Sequence, residues 1–588
     1  MAKWFVTTKK ADFNAIAERW HITPIVARIL RNRDLVTEDE IEMFLNGTPE
    51  DMHDPKDMKD MDTAVSMIAS AITQEQKIRI VGDYDIDGIC ASYILLTGLR
   101  RCKADVDVKL PDRMKDGYGI SDAIIEQAHQ DGIHLIVTCD NGIAAYEQIV
   151  YAKQLGMDVI VTDHHEVPYE VSDAGEKQYQ LPPAGAVVDP HREDCRYPYA
   201  GICGAVVAYK LIEALYKAMG VPKSEMDELL EFAAIATVGD VMELRDENRI
   251  IVKYGLEHIK GTQNIGLRAL MDVTQIERDK LSPFHIGFVL GPCINATGRL
   301  DSAERALSLF MTKDSGEALR IAGDLKALND SRKDMTKHYQ ELAFSEVEKM
   351  KAPDRVLVIY LPDCHESLAG IIAGRVKERY YKPTFILTKT ADGVKGSGRS
   401  IEAYHMYEEM TRCKELFSKY GGHRMAAGLS MREEDIETLR QRLNAQTILT
   451  EDDMQEKVQI DVPMPMTYAT KELVQEIEML APFGIGNPKP LFAEKHILIR
   501  AARIMGKNQN VVKLKIESED GTVADAIWFG DGNAFRQEMA TRFGEEAAKT
   551  FEGKGEKVKL SIAYYPALNV YMGRENIQIN IQHYQYEM

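Results

Sequence analysis

The sequence lacks any run of about twenty apolar residues, the length that a helix needs to cross a bilayer. Its N-terminus also lacks the apolar core and the small-residue cleavage site of a signal peptide. The eight cysteines are scattered and form no CxxC pair, which argues against a zinc ribbon and against a dithiol redox motif. These absences favour a cytoplasmic protein with reduced thiols and no membrane partner.

Positively charged residues are also fewer than negatively charged ones. Lysine and arginine number 72 against 92 aspartates and glutamates, which gives a formal net charge of −20. Taken alone, this balance argues against a nucleic-acid partner, because phosphate binding usually requires a basic surface. One stretch differs, since residues 365–400 contain seven Lys or Arg and three acids, a local excess of +4.

What the sequence does contain is a long alternation of short apolar strands and helices. Strands are predicted at 77–82, 105–110, 134–139, 158–162 and 184–188, with helices between most of them. This alternation is typical of a parallel, doubly wound α/β sheet. A second α/β pattern begins near 355, and short alternating runs after 456 favour a small β-barrel.

The chain length of 588 residues predicts three to four domains at roughly 150 residues each. Thr37 followed by Glu40 predicts a helix capping box near the N-terminus. The predicted segments are an N-terminal helical segment at 1–60, an α/β domain at 61–312, a connecting helix at 313–351, a smaller α/β domain at 352–447 and a β-barrel at 456–588.

Three of the predicted strands end on side chains that can bind metals. The strand ends carry Asp83, Asp85 and Asp87 in GDYDIDG, Asp140 in TCDNG, and Asp163, His164 and His165 in VTDHH. In a parallel sheet the carboxyl ends of the strands lie on one edge, which is where ligands bind. Residues about 80 positions apart in the sequence are therefore expected to converge there.

The residue types in this group favour divalent cations. A lone DxD is usually a turn, but three such strand ends together make a cluster of carboxylates that repel one another unless a cation is present. The set offers oxygen and imidazole ligands without thiolate, which suits Mn²⁺ or Mg²⁺. Two ions about 3.5–4 Å apart can activate a water for attack on phosphorus.

These motifs carry a family resemblance. GDYDIDG, TCDNG and VTDHH resemble the first three motifs of the DHH phosphoesterase superfamily, and ATVGD at 236–240 resembles its fourth. Further segments resemble, in order, the RecJ family of single-stranded-DNA-specific exonucleases: PDRMKDGYGI (111–120), LGPCINATGRLD (290–301), ESLAGIIAGRVKERYYKP (366–383), GSGRS (396–400), GGHRMAAG (421–428) and APFGIGNPKPLF (481–492).

The resemblance implies both a fold and an activity. The implied fold is α/β, with a parallel doubly wound DHH domain, a long helix, a smaller α/β DHHA1 domain and a C-terminal OB-like β-barrel. The implied activity is that of a 5′→3′ exonuclease specific for single-stranded DNA, which releases 5′-mononucleotides by two-metal hydrolysis in DNA repair and recombination. Two Mn²⁺ or Mg²⁺ ions are implied as cofactors, and single-stranded DNA, a single-strand-binding protein and a RecQ-type helicase as partners.

The resemblance also assigns residues to the metal site. The implied metal ligands are Asp85, Asp87, Asp140, His164 and Asp240, of which Asp140 and Asp240 are placed to bridge two ions. His165 and Asp140 are implied as catalytic residues, with His165 facing the substrate phosphate or completing the metal shell. Asp163 is expected to orient an imidazole. Asp83 is expected to be a turn residue outside the site.

Substrate contacts are expected from a second set of residues. Arginine suits phosphate, and GSGRS is interpreted as a glycine-rich loop whose N–H groups face the substrate. Cys293 stands where RecJ proteins typically carry arginine, so one phosphate contact is missing or is supplied elsewhere. The expected substrate-binding residues are Arg113, Asn295, Arg299, Ser397, Arg399 and His423.

Two alternative functions remain open from the sequence. A DHH phosphodiesterase for cyclic dinucleotides or very short oligonucleotides would share every metal ligand, although such a substrate needs no additional barrel of about 130 residues. A non-catalytic DNA-binding scaffold would retain the fold, although relatives of that kind usually lose metal ligands.

Overall fold

The computed structural model describes residues 2–112, 119–171, 176–350, 354–552, 558–571 and 573–587. The chain forms two compact units, of which the first comprises residues 1–53, 241–254 and 457–588, and the second comprises residues 54–240 and 255–456. Among the described helices, none combines the length and apolar character that crossing a membrane requires.

The N-terminal segment contains three helices and one strand. The predicted capping box is confirmed, because Thr37 accepts from the backbone of Glu40 while the Glu40 carboxylate accepts from the backbone of Thr37. The strand, which the sequence pattern does not predict, pairs in parallel with residues 457–460. The elements are β1 Lys3–Val6, α1 Phe13–Trp20, α2 Pro24–Asn32 and α3 Glu38–Asn46.

The alternation of strands and helices then builds a five-stranded sheet. Its order is β3-β2-β4-β5-β8 and every pairing in it is parallel. The elements are α4 Met61–Thr73, β2 Ile78–Val81, α5 Ile86–Arg101, β3 Val106–Lys109, α6 Asp122–Gln130, β4 Leu135–Cys139, α7 Tyr146–Gln154, β5 Asp158–Thr162, β6 Tyr169–Val171, β7 Lys177–Tyr179 and β8 Ala186–Val188. The central strands β2 and β4 are fully buried, as their apolar β-branched residues predict.

A helical region follows the sheet. It contains a π-helical turn at Ile286–Leu290, directly before α13. It ends in a helix of 35 residues, which confirms the predicted long helix. The helices are α8 Gly204–Met219, α9 Asp227–Gly239, α10 Asp246–Lys260, α11 Ile265–Val273, α12 Pro283–His285, α13 Gly291–Leu300, α14 Glu304–Met311 and α15 Ser315–Lys349.

The smaller α/β region has a mixed sheet of order β12-β13-β11-β10-β9, in which only β9 and β10 run in parallel. The interpretation of GSGRS as a loop is wrong, because Ser397 pairs with Ile386 on one side and with Gly428 on the other. The elements are β9 Leu357–Tyr360, α16 Glu366–Tyr380, β10 Thr384–Thr390, β11 Gly393–Arg399, α17 Met406–Thr411, β12 Phe417–Gly422, β13 Ala426–Met431 and α18 Ile436–Gln446.

The C-terminal strands close on themselves. The order β16-β17-β18-β20-β19 is completed by a direct pairing of β16 with β19, which makes an OB-like ring. The elements are β14 Lys457–Ile460, β15 Val462–Pro463, α19 Lys471–Glu478, β16 Phe492–Met505, β17 Val511–Glu517, β18 Val523–Phe529, α20 Gly532–Phe543, α21 Glu545–Ala548, β19 Lys559–Tyr571 and β20 Arg574–Tyr586. The predicted fold class is thus confirmed: a parallel doubly wound sheet, a long helix, a smaller α/β region and a C-terminal barrel.

Candidate metal centre

The candidate site lies at the carboxyl edge of the parallel sheet. The chain passes from β2 to β3 on one side of β2 and then to β4 on the other side, so the topological switch point falls between β2 and β4. Open α/β sheets bind ligands in the crevice at such a point. Asp83, Asp85 and Asp87 follow β2, and Asp140 follows β4, which places both motifs at this crevice.

Asp85 and Asp87 are held by the backbone N–H groups of two helix N-termini. Asp85 caps α5 and accepts hydrogen bonds from the N–H groups of Asp87 (2.9 Å) and Gly88 (3.2 Å). The Asp87 carboxylate accepts from Gly204 (2.7 Å) and Ala205 (2.8 Å) at the start of α8. A helix N-terminus favours negative charge, and these hydrogen bonds fix the orientation of both carboxylates.

Asp140 occupies a backbone conformation that suits its residue type. Its φ of 59° lies in the left-handed region, which aspartate and asparagine tolerate better than most residues do. A Cβ on Gly204 would lie 2.7 Å from the Cβ of Asp140, so only glycine allows α8 to approach this closely. The chain therefore brings the start of α8 directly against Asp140.

The imidazole of His164 faces three carboxylates at once. Its Nε2 atom lies 3.1 Å from Asp140 Oδ1, 3.5 Å from Asp87 Oδ2 and 3.8 Å from Asp240 Oδ2. Asp240 follows α9 directly, so the fourth motif reaches the same point as the sheet edge. His164, Asp87 and Asp240 offer ligand atoms within 4.8 Å of one another, as do Asp140, His164 and His165.

The electrostatics of the cluster favour a cation. Burial, and then repulsion from Asp87 and Asp85, raises the pKa of Asp240 to about 8 and raises that of Asp140 well above its usual range. Burial also raises the pKa of Asp85, with repulsion from Asp87 as the next cause. Burial lowers the pKa of His164, so its imidazole is neutral and available as a ligand.

His165 differs from its neighbour because it has a carboxylate partner. Its Nδ1 atom lies 2.7 Å from Asp163 Oδ1, and its side chain is 46 % exposed. Burial opposes the charge on His165, but the hydrogen bond to Asp163 raises its pKa to about 9. Asp163 also accepts from the N–H of Ile143 (2.9 Å) and, although burial opposes its ionisation, these partners lower its pKa. Asp163 thus fixes the orientation of His165.

Two further acids lie at this edge, outside the set of ligands predicted from the sequence. Asp83, which is expected to lie outside the site, offers a ligand atom within 4.8 Å of those of Asp85 and Asp140. Asp189 and His191 follow β8, and burial raises the pKa of both Asp83 and Asp189 to about 8. Among the described residues, Asp83 Oδ1 and Asp189 Oδ2 are buried without a hydrogen-bond partner, which fits a site that takes up cations.

Three of the six expected substrate residues line two cavities in the second unit. The first cavity, of about 410 Å³, is lined by residues that include Tyr84, Lys395, Ser397 and Tyr420. The second cavity, of about 400 Å³, is lined by residues that include Arg299, Ser397 and Arg399. Ser397 lies between the two cavities because it lines both.

The other expected contacts are placed differently. Asn295 Oδ1 accepts from the N–H of Ile86 (2.7 Å), so this side chain positions the start of α5. His423 is exposed in the turn between β12 and β13, where its Nδ1 accepts from the N–H of Met425 (3.3 Å), and it lines neither cavity. Arg113 lies outside the described residues.

The basic stretch at 365–400 carries less uncompensated charge than its sequence suggests. Four of its seven cations are paired with carboxylates: Arg375 with Glu378, Arg379 with Glu348, Lys389 with Glu433 and Lys395 with Glu366. The Cys293 side chain is buried and lies 3.3 Å from Asn329 Nδ2, in the contact between α13 and α15.

Three family profiles match the chain. They are the DHH family, N-terminal domain, over residues 77–237, the DHHA1 domain over residues 354–448 and the RecJ OB domain over residues 460–583.

Known proteins match over most of the chain. The single-stranded-DNA-specific exonuclease RecJ of Bacillus subtilis is 35 % identical over 90 % of this chain and 66 % of its own length, so the chain spans about two thirds of that relative. RecJ of Escherichia coli is 31 % identical over 95 % of each chain. Among solved structures, RecJ of Thermus thermophilus with Mn²⁺ shares the fold with a TM-score of 0.81 at 24 % identity, covering 100 % of this chain and 80 % of that one. An exonuclease RecJ bound to manganese is 30 % identical, with a TM-score of 0.57 and coverage of 67 % of this chain and 96 % of that one.

Proposed function

The chain belongs to the RecJ family of single-stranded-DNA-specific exonucleases, and from this premise we propose that it removes 5′-mononucleotides from the 5′ end of single-stranded DNA. In this reaction water attacks the phosphorus that follows the terminal nucleotide. The bond from that phosphorus to the 3′ oxygen breaks, and the terminal nucleotide leaves with its own 5′ phosphate. The shortened strand keeps a 5′ phosphate, so the next cycle begins from the same chemical end.

The observation that carries this proposal is the approach of His164 Nε2 to three carboxylates within 3.1–3.8 Å. A neutral imidazole beside buried carboxylates leaves their repulsion uncompensated, and a divalent cation among these atoms removes it. We assign the metal ligands to Asp85, Asp87, Asp140, His164 and Asp240, with two Mn²⁺ or Mg²⁺ ions as cofactors.

Divalent ions at such a centre lower the pKa of a bound water and stabilise charge on phosphate oxygens. The protein fixes the ligand geometry through the helix N-termini that hold Asp85 and Asp87. Asp163 orients His165, whose exposed ring donates a hydrogen bond to a non-bridging phosphate oxygen of the substrate. Arg299 and Arg399 line the adjacent cavity, where guanidinium groups suit the phosphates of the strand.

The first cavity is suited to the terminal nucleotide. Its volume of about 410 Å³ lies within the range of small-molecule sites, and it combines Tyr84 and Tyr420 with the cations of Lys395 and Lys419. The aromatic rings offer faces for a base. Lys419 offers charge for a phosphate, whereas Lys395 is paired with Glu366 of the same cavity. The 5′-terminal nucleotide thus has a place beside the loop that carries Asp83, Asp85 and Asp87.

Three segments of the chain have distinct roles in this reaction. Residues 61–312 carry the metal centre, residues 352–447 contribute the cavity walls across from it, and the barrel at 456–588 binds the strand by stacking and charge. We place the enzyme in the cytoplasm, where the eight cysteines, all free thiols in the structure, would stay reduced. DNA repair and recombination, with a single-strand-binding protein and a RecQ-type helicase as partners, complete the proposal.

The test uses Asp140→Asn. Asparagine keeps the shape of the side chain and tolerates the φ of 59°, whereas alanine would add backbone strain. With Mn²⁺ present, the unmodified chain should release mononucleotides from the 5′ end of a long single strand and leave duplex intact. The variant should lose at least roughly a thousandfold in rate, as expected when a metal-assisted step is removed.

Asp272→Asn serves as the matched control, because Asp272 is an exposed partner of Arg278 far along the chain from the motifs. Its activity should equal that of the unmodified chain. Release from the 3′ end would contradict the proposed polarity. Cleavage of a dinucleotide with the long strand left intact would contradict the proposed reaction and favour a small-substrate phosphodiesterase.

A further inference from the structure

Two exposed phenylalanines, Phe284 and Phe288, stack on each other, and Phe288 lines the second cavity. Phe284 is 61 % exposed and Phe288 is 65 % exposed, and their rings stack with centroids 5.0 Å apart and planes 25° apart. They lie four residues apart, one turn along the helical run that leads into α13. Exposed apolar pairs of this size mark interaction sites more often than solitary exposed residues do.

The same helical run carries an arginine into the cavity. Arg299 lies eleven residues after Phe288, which is close to three helical turns and returns the side chain to a similar face. Both residues line the second cavity. Arg299 Nη1 donates to the carbonyl of Ser367 (2.8 Å), which holds this arginine against α16 on the opposite wall.

The opposite wall is open along the helix, and the lining of the whole cavity contains three arginines against two glutamates. Gly370 and Gly374 of α16 line the cavity together with Arg375 and Arg399. The space beside Gly374 is empty to 4 Å, so the backbone of α16 is accessible there. The acids at the cavity are compensated, since Glu378 pairs with Arg375 (3.1 Å) and Glu366 pairs with Lys395 (2.9 Å).

The helix that carries Arg299 also packs against the loop that carries Asp83, Asp85 and Asp87. α13 packs on the loop after β2, because a Cβ on Gly298 would lie 2.3 Å from the carbonyl oxygen of Tyr84. Ser397 connects this cavity with the first one, which also contains Tyr84. A strand that passes through the second cavity would therefore run past arginines toward the metal centre.

We propose that Phe284 and Phe288 stack on bases of the single strand as it enters the arginine-lined cavity, and that this stacking sets the affinity for long strands. This inference rests on the proposed function. Positive charge on the cavity walls matches phosphate, and exposed rings match the faces of unpaired bases. The bases of a duplex are stacked on each other and offer no free faces, so the pair would also favour single strands.

The test measures binding by fluorescence anisotropy in chains that carry Asp140→Asn, so that the strand is not degraded. Each chain is titrated with a labelled thymine strand and with an abasic strand of the same length. Phe288→Ala should weaken binding of the thymine strand by roughly 5- to 150-fold, the range found for loss of stacking on one base. Phe288→Trp should retain affinity, and the abasic strand should bind Phe288→Ala as it binds the parent chain.

The matched control is Tyr179→Ala. Tyr179 belongs to a second exposed ring pair in the same unit, 5.7 Å from Tyr169, and it lines neither cavity. Its replacement should leave both affinities unchanged. Equal losses in the Tyr179 and Phe288 variants would overturn the inference, because the rings would then act only as general apolar surface.

Two other outcomes would also overturn it. In one, Phe288→Ala binds the thymine strand as tightly as the parent chain does. In the other, Phe288→Ala differs from the parent chain only in its sedimentation coefficient, which would make Phe284 and Phe288 a contact between copies of the chain. Failure of the proposed function is distinguishable from both, because it appears as absence of 5′ mononucleotide release by the chain with Asp140 intact.

Discussion

The two units of this protein bury charge in opposite ways. In the first unit, the guanidinium of Arg249 is 2 % exposed and donates to the carbonyls of Phe44, Leu480, Met479 and Ala481. In the second unit, seven aspartates meet at one sheet edge and two of their oxygens are buried without a hydrogen-bond partner among the described residues. The aspartates are Asp83, Asp85, Asp87, Asp140, Asp163, Asp189 and Asp240.

This difference between the units distinguishes a charge that stabilises the fold, such as Arg249, from charges that serve to bind a cation, such as the clustered aspartates. A buried charge whose hydrogen bonds are all made stabilises one packing arrangement, and its removal leaves its partners unsatisfied. A cluster of like charges without compensation lowers stability, and a fold keeps it only where a cation is bound during function. Removal of one charge should therefore have opposite effects on stability in the two units.

The largest expected effect is in the first unit. Arg249→Met removes the donor of two buried carbonyls, those of Phe44 and Leu480, and of two partly buried carbonyls. At about 1–3 kcal/mol for each buried group, the loss of stability should be roughly 2–6 kcal/mol. All three tryptophans, Trp4, Trp20 and Trp528, belong to this unit, so urea unfolding followed by tryptophan fluorescence reports on it selectively.

Lys253→Met is the matched control for this change. Lys253 lies one turn further along α10 and its Nζ donates to the carbonyl of Leu45 at 3.4 Å, a longer contact than most of those made by Arg249. Its loss should cost well under half of the Arg249 effect. Equal urea midpoints for the two variants would show that the hydrogen bonds of Arg249 do not stabilise the first unit. The proposed difference between the two units would then be wrong.

The second expected effect is a pH dependence of the metal-free second unit. The pKa values of Asp83, Asp189 and Asp240 are raised to about 8, above the value of about 3.9 for an unfolded chain. The folded state therefore holds protons that the unfolded state has released. Stability from these groups is fully present below about pH 4 and is lost as the pH rises toward 8.

Calorimetric unfolding in a chelator, between about pH 5 and pH 8, measures this effect. The melting temperature of the second unit should fall as the pH rises, and Asp83→Asn should make the decrease smaller. Excess Mn²⁺ should reverse the trend, because the metal binds the ionised carboxylates. A melting temperature that rises with pH in the chelator would contradict the role given to these acids.

The smallest expected effect concerns charges at the surface of the second unit. We expect DNA affinity to decrease as salt increases, because phosphate contacts release counterions. Arg375→Gln should reduce the slope of log affinity against log salt by roughly 0.7, the value for one phosphate contact on a single strand. Lys389→Gln is the control, because Lys389 is paired with a glutamate as Arg375 is, but lines neither cavity. A flat salt response in the unmodified chain would contradict the role of the cavity arginines.

The sequence predicts the parallel sheet well because its strands are short apolar runs with helices between most of them. It does not predict β1, since the partner of this strand lies about 450 residues away and a four-residue run of mixed polarity gives no local signal. The glycines of GSGRS indicate a turn, and for this reason the sequence predicts a loop there. That prediction is wrong, because the segment is paired on both sides in β11. In the structure the glycines allow close packing, since a Cβ on Gly396 would lie 2.4 Å from Leu387.

Three of the four metal motifs are visible in the sequence because each carries its acids directly after an apolar strand, whereas Asp240 follows a helix. Asp189 and His191 show the same signal after the strand at 184–188, although they fall outside the predicted site. The two cavities leave no trace in local patterns, because their walls combine residues from position 84 to position 430. The position of Ser397 between them depends on how the sheet of the smaller α/β region packs, which no motif encodes.

The decisive experiment is calorimetric unfolding of the unmodified chain and of Asp140→Asn, each with and without Mn²⁺. We expect Mn²⁺ to stabilise the second unit of the unmodified chain, by about 2.7 kcal/mol at a hundred times the dissociation constant. We also expect Asp140→Asn to be the more stable chain in the absence of metal, because one repelling charge is gone, and to gain little from Mn²⁺. A metal-free variant less stable than the unmodified chain, with the same response to Mn²⁺, would contradict the conclusion that these carboxylates form a divalent metal centre.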